Sequence, residues 1–167
     1  FAICDGEDYK IINSAQDHKR VFDNDKGPNT GGMGAYSPAP IFTEKLQIKT
    51  EERILKPILK AMSNKGHPYK GFLYIGLMVV DKNPYVIEYN VRLGDPEAQV
   101  ILPLLNTSLF DLIMFSLKNK LKEIKIENYD KFAVSVVLSA KGYPDQYNKG
   151  MEIKGLNELD NELIFHA

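Results

Sequence analysis

The run VIEYNVRLGDPEAQ, Val86 to Gln99, places Glu88, Asn90 and Arg92 at every second position. On a β-strand that spacing puts all three on one face and Tyr85, Ile87 and Tyr89 on the other. A carboxylate and an amide oxygen two residues apart can share one hard cation. Mg²⁺ takes oxygen ligands and leaves the rest of its shell to water and substrate phosphates. An arginine one step further reaches a phosphate with its planar fork. The spacing suits a Mg²⁺–phosphate site, and it equally suits the solvated side of an ordinary strand. Asp95 reads first as the N-cap of a helix that Pro96 begins, with Glu97 in its first turn, a role that leaves room for a second contact.

A second constellation lies upstream. NTGGMGAYSP carries Gly31, Gly32 and Gly34, and closely spaced glycines let backbone N–H groups converge on an anion. QDHKR supplies Asp17, His18, Lys19 and Arg20 just before it. No Gly-Lys-Ser/Thr follows, so this is not a P-loop, and a tight loop explains the glycines as well. The three histidines are scattered and the single cysteine, Cys4, has no neighbouring histidine. Neither a His/Cys metal cluster nor a Ser or Cys nucleophile is indicated.

The elements that must hold these residues follow from the pattern. FAICDGEDYKII predicts a hairpin around Asp5–Asp8, and residues 13–40 read as one long loop with little periodicity. Thr43 caps a helix whose apolar stripe is Ile54, Leu55, Ile58, Leu59 and Met62, with a kink or break expected at Pro57 and an end at Asn64–Gly66. Gly71–Val80, apolar on both faces, predicts a buried strand, turning at residues 81–84 into an antiparallel partner that carries Glu88 and Asn90. Short helices are expected from Pro96 to about Leu102 and from Thr107 or Ser108, the latter with Leu109, Leu112, Ile113, Ser116 and Leu117 inward. LKEIKIENYDK is the best boundary, FAVSVVLSA a strong strand, Gly142–Pro144 a turn, and LIFHA a strand at the end.

Composition bounds the function. The 167 residues allow one domain or two small ones, and 44% hydrophobic content can fill a core. Twenty-one basic residues against 22 acidic ones give a net charge of −1, so no global field draws nucleic acid or a membrane surface. No apolar run approaches the roughly 20 residues of a membrane span. One cysteine fits a reducing compartment. Phe1 is not a start residue, and the chain reads as a piece of something longer.

QDHKR…GPNTGGMGAYSPAP and RLGDPEAQ together resemble the phosphoribosylamine–glycine ligase (glycinamide ribonucleotide synthetase) family over essentially the whole chain. The resemblance implies an α+β fold: an ATP-grasp antiparallel sheet with packed helices, followed by part of a small β-rich C-terminal domain. It divides the chain into 1–127, the C-terminal portion of the ATP-grasp domain, and 128–167, the start of the next. It implies a cytoplasmic enzyme that joins glycine to 5-phosphoribosylamine through a glycyl phosphate, using ATP and Mg²⁺ or Mn²⁺, with no nucleic acid or membrane partner. Glu88 and Asn90 would be the metal ligands, and Arg92 would contact phosphate. Asp17, Lys19, Arg20 and Gly31, Gly32 and Gly34 would lie at the substrate end, and Asp95 would orient the amino substrate. Arg92, Asp95 and Arg20 are the catalytic candidates. Gly76, Leu77 and Met78 stand where related enzymes often carry another acidic ligand, and Phe22, Asn24 and Tyr89 also depart from the family pattern. The family's N-terminal part, which covers the nucleotide, would be needed to complete the site. Another ATP-grasp carboxylate–amine ligase and a non-catalytic fragment or binding module are the alternatives.

Overall fold

The structure, a computed structural model, describes residues 1–166. Its first layer is a four-stranded antiparallel sheet in the order β2-β1-β7-β8. β1 (Ala2–Asp5) and β2 (Tyr9–Ile11) are the expected hairpin, and β7 (Lys70–Val80) and β8 (Asn83–Asn90) are the expected strand pair. Alternation along β1 sends Ala2 and Cys4 to one face, where they meet Leu73 and helical Leu55, Ile58 and Leu59. Ile3 goes to the other face and packs with Ile12, Leu112 and Leu121.

The first of those faces is covered by one helical rod: α1 (Glu44–Thr50), a π-helical turn (Glu51–Leu55) and α2 (Lys56–Asn64). Thr43 caps it by accepting from Leu46 N. The break expected at Pro57 is absent, because the helix widens into the π turn just before it. Proline lacks an N–H and crowds the carbonyl four residues back, here Arg53, and a wider turn accommodates both effects. The opposite face is covered by α4 (Leu109–Leu117), capped by Ser108. Leu112 and Ser116 are buried as expected, but Leu117 is 59% exposed at the end of the helix.

β7 is not buried throughout: Met78 and Val80 are 55% and 48% exposed. The buried contacts of both helical layers reach β1 and the first half of β7, and the second half runs on into a cavity wall.

Residues 13–40 are not a structureless loop. They hold β3 (Gln16–Asp17), β4 (Arg20–Phe22), β5 (Lys26–Asn29) and β6 (Gly34–Ser37), too short to print a period of two on the sequence. Among the described residues β4 and β5 pair only with each other. β3 and β6 join β9 (Ala133–Val136) in a second sheet, order β3-β6-β9. Gly34 faces Val136 there, and a Cβ on Gly34 would stand 2.5 Å from the Ser135 carbonyl oxygen, so the two strands approach this closely only with glycine. α3 (Ala98–Ile101) packs Val100 and Ile101 against Ala35 and Ala133.

β9 is shorter than the expected 132–140, and Phe132, Val134 and Val136 remain exposed along it. The turn at Gly142–Pro144 forms, with Tyr143 N donating to Ala140 O and Asp145 N to Gly142 O. Residues 163–166 are not a strand, and Ala167 lies outside the described residues. The charged segment 121–131 is docked on the first layer: Leu121 is fully buried and Asn128 Nδ2 donates to Ile12 O. No helix among the described residues is long and apolar enough to cross a membrane.

Candidate active site

The site starts from an irregularity. β7 pairs Gly76 with Glu88 but Leu77 with Val86, so Ile87 is an extra residue, a β-bulge. The bulge brings both Ile87 and Glu88 to the cavity wall, whereas simple alternation assigned them to opposite faces. Beyond it the period of two resumes. Glu88 and Asn90 share a face, and Asn90 Nδ2 donates to Glu88 Oε1 at 3.0 Å. Gly76, opposite Glu88, leaves room for it: a Cβ there would stand 3.1 Å from Glu88 Cγ.

The strand ends at Asn90, so alternation does not place Arg92. Arg92 lies in a bend, exposed, with Nη1 donating to Leu93 O at 3.0 Å. Asp95 is not the helix cap. Its exposed carboxylate accepts from Gln99 Nε2 at 2.7 Å, while Ala98 N is taken by Gly94 O. The helix starts later than predicted because the turn at Asp95–Glu97 uses backbone groups rather than a side-chain cap.

The acid that turns inward is Glu97, which the sequence reading treated only as a first-turn residue. It is 3% exposed, borders the same cavity as Glu88, and lies against Gly94, where a Cβ would stand 2.2 Å from Oε2. Burial and then Glu97 push the Tyr74 hydroxyl well above its usual range. Tyr74 is also the cross-strand partner of Asn90. No pattern in the sequence marks which acid of this turn faces inward.

The cavity encloses about 920 Å³ and is bordered by Asp17, Lys19 and Arg20 as well as by Glu88 and Glu97. Gly31, Gly32, Gly34, Asn90, Arg92 and Asp95 do not border it. Asp17 is 8% exposed in its side chain, with Lys19 Nζ 2.8 Å from Oδ2 as an ion pair. Hydrogen bonding to Asp17, together with the Glu97 and Glu88 charges, raises the Lys19 pKa. Arg20 is engaged within its hairpin, donating from Nη1 to Gly27 O at 2.6 Å. The glycine-rich turn does not offer a cradle of free N–H groups: Gly31 N faces the Tyr143 hydroxyl at 3.4 Å and Gly32 N donates to Thr30 Oγ1 at 3.1 Å. Cys4 is buried, and burial followed by the Asp5 charge pushes its thiol up to about 12, so it supplies no thiolate.

No three His, Cys, Asp or Glu side chains converge as a metal cluster among the described residues. The donor chemistry of Glu88 and Asn90 nevertheless fits a hard divalent cation. One exposed carboxylate and one amide lie side by side, and a half-turn of the amide exchanges its N–H₂ for its oxygen.

Residues 1–98 match the family model for the phosphoribosylglycinamide synthetase ATP-grasp (A) domain. The chain is 47% identical over its full length to the phosphoribosylamine–glycine ligase of Caldanaerobacter subterraneus, of which it covers 40%. It is 47% identical over 99% of its length to a bifunctional purine biosynthetic protein of Pichia angusta, of which it covers 21%. A crystal structure of phosphoribosylamine–glycine ligase from Thermotoga maritima superimposes with a TM-score of 0.80 at 42% identity, covering 89% of this chain and 37% of that one. The chain thus spans about 40% of the length of relatives such as the Caldanaerobacter enzyme.

Proposed function

The chain belongs to the phosphoribosylglycinamide synthetase ATP-grasp family, and from that premise we propose that it forms one wall of the active site of a phosphoribosylamine–glycine ligase. The reaction joins glycine to 5-phosphoribosylamine at the expense of ATP, through a glycyl phosphate, to give glycinamide ribonucleotide, ADP and phosphate. The observation that carries the reading is the Glu88–Asn90 pair, set side by side by β8 with Glu88 at the wall of an acidic cavity. Glu88 and Asn90 would hold Mg²⁺ or Mn²⁺, which when bound would neutralise phosphate charge.

The residues of the chain position and neutralise; none needs to attack. The glycine carboxylate is the first nucleophile and the amine of phosphoribosylamine the second, which agrees with the buried, protonated Cys4. Arg92 is exposed and, among the described residues, holds only a neighbouring carbonyl through its guanidinium, so it can exchange that bond for a phosphate oxygen. Asp17 and Lys19 belong to the substrate end, while Arg20 and the glycines shape the hairpin and the turn around it. Residues 1–127 would be the C-terminal part of the ATP-grasp domain and 128–167 the start of the next, joined to the first by the β6–β9 pairing. A cytoplasmic setting accords with a lone reduced cysteine.

The test is ADP release by the full-length protein. ADP should form only when ATP, Mg²⁺, glycine and phosphoribosylamine are all present, and equal ADP formation without glycine would refute the reading.

A further inference from the structure

Gly76 is out of place in its strand. β7 runs 11 residues, and a glycine inside a strand weakens it, with no side chain to pack and the most backbone freedom to lose. Backbone conformation does not require it. Gly76 is not among the glycines of positive φ, so its backbone would accept an L side chain. The three atoms that a Cβ at 76 would meet first all belong to Glu88: Cγ at 3.1 Å, O at 3.5 Å and N at 3.7 Å. The two backbone distances are ordinary van der Waals contacts, and the one to Cγ is too close. Gly76 is buried although Glu88 is exposed, because the Glu88 stem crosses to β7 and lies over the bare backbone.

The row on β7 beneath the Glu88–Asn90 pair is graded to match. Tyr74, opposite Asn90, carries a ring stacked on Phe1 with centroids 4.8 Å apart. Gly76, opposite Glu88, carries nothing. Asn90 therefore has a fixed side chain beneath it, and Glu88 settles into the gap beside that ring, where Oε1 accepts from Asn90 Nδ2 at 3.0 Å. The register shift of the strand pair follows at once, between Gly76 and Leu77.

We propose that Gly76 is a positioning residue: by carrying no side chain it sets the Glu88 carboxylate at the depth where it can share a cation with Asn90, an inference that rests on the ligase reading above. A methyl group at 76 would force its neighbour to give by a few tenths of an ångström. The exposed Glu88 stem gives more readily than a paired backbone, so the displacement falls on the carboxylate. The strand itself would gain from the substitution. Strand stability and cation binding should thus move in opposite directions, which a purely structural glycine would not produce.

Mn²⁺ binding to the full-length protein without nucleotide, read from the free-ion electron paramagnetic resonance signal, tests this together with thermal unfolding. Gly76→Ala should weaken Mn²⁺ binding about tenfold, the effect expected when a group that orients a metal ligand is lost. Its melting temperature should equal or exceed that of the unmodified protein. Gly76→Val, bulkier and a better strand former, should weaken Mn²⁺ binding further. In the Glu88→Gln background Gly76→Ala should add less than about twofold, because the carboxylate it acts through is gone. Unchanged Mn²⁺ affinity in Gly76→Ala, where Glu88→Gln weakens it, overturns the proposal and leaves the ligase reading standing. Equal losses from Gly76→Ala with and without Glu88→Gln overturn it too, as does a lowered melting temperature that accompanies the loss. If Glu88→Gln itself leaves Mn²⁺ binding unchanged, the pair is not the cation site and both fall. Mn²⁺ binding that depends on Gly76 through Glu88, in a protein that forms no ADP with glycine and phosphoribosylamine, would sustain the proposal and refute the ligase reading.

Discussion

Glu88 and Asn90 are a pair only because of where the extra residue falls. The bulge lies at Ile87, ahead of Glu88, so the period of two is intact between 88 and 90. That is why their spacing in the sequence predicted their contact in space. Arg92 shows the converse, since the strand stops at Asn90 and a rule about strands says nothing of a side chain in a bend. Asp95 does not cap and Glu97 turns inward for a related reason: which acid of a turn points inward depends on backbone angles that residue types do not encode. Replacing Glu88 by Gln keeps the shape and removes the charge. In the full-length protein, we expect the Mg²⁺ concentration for half-maximal ADP release to rise by about tenfold or more. An unchanged Mg²⁺ dependence would rule out Glu88 as a metal ligand.

Long elements were legible, and short ones only where a turn residue marked them, as between β1 and β2. β7, β8 and the helices run seven residues or more apart from α3, enough to display a period and a cap. The strands within 13–40 run two to four residues and were hidden. So was the partnership of β6 with β9, about a hundred positions apart in sequence, which no local pattern announces. Gly34 is the residue on which that partnership turns. Gly34→Ala sets a methyl group against a backbone oxygen that cannot swing aside, and overpacking of this kind costs about 1–3 kcal/mol. Thermal unfolding should therefore begin several degrees lower, and an unshifted melting curve would mean that the strands separate at no cost.

The β1–β2 turn makes a pH-dependent contribution. Burial alone would raise the Asp5 pKa, but hydrogen bonds from the backbone N–H groups of Asp8, Leu121 and Glu7 outweigh it and hold the carboxyl below its usual 3.8. A carboxyl with a depressed folded pKa stabilises fully above its unfolded value and loses that contribution as pH falls through the folded one. Asp5→Asn should cost about 1–3 kcal/mol in denaturant unfolding at pH 7, because its amide N–H₂ would face backbone donors. The gap between the two proteins should narrow below about pH 4, where the native carboxyl also takes up a proton. A gap of constant size down to pH 2 would show that Asp5 acts through shape and not charge.

At the scale of the whole molecule, the proposed function makes the chain one side of a reaction chamber. Glu88 is exposed, Arg92 is exposed, and Met78, Tyr85 and Ile87 carry open apolar surface beside them. A charged pair open to water gains little, because solvent screens it; the same charges in a closed site act at a low effective dielectric constant. Mg²⁺ held by one carboxylate and one amide would keep most of its shell as water and bind weakly. The 167 residues span about 40% of the Caldanaerobacter ligase. The prediction is that the 167-residue chain, purified alone, forms no ADP in response to glycine and phosphoribosylamine, while the full-length protein does. Transition-state stabilisation should return only when the remaining chain closes over the phosphates and excludes water. The measurement is ADP formation by both proteins side by side, with and without glycine. Turnover by the isolated chain within about a hundredfold of the full-length protein, a barrier difference of only about 3 kcal/mol, would show that this wall alone suffices for catalysis.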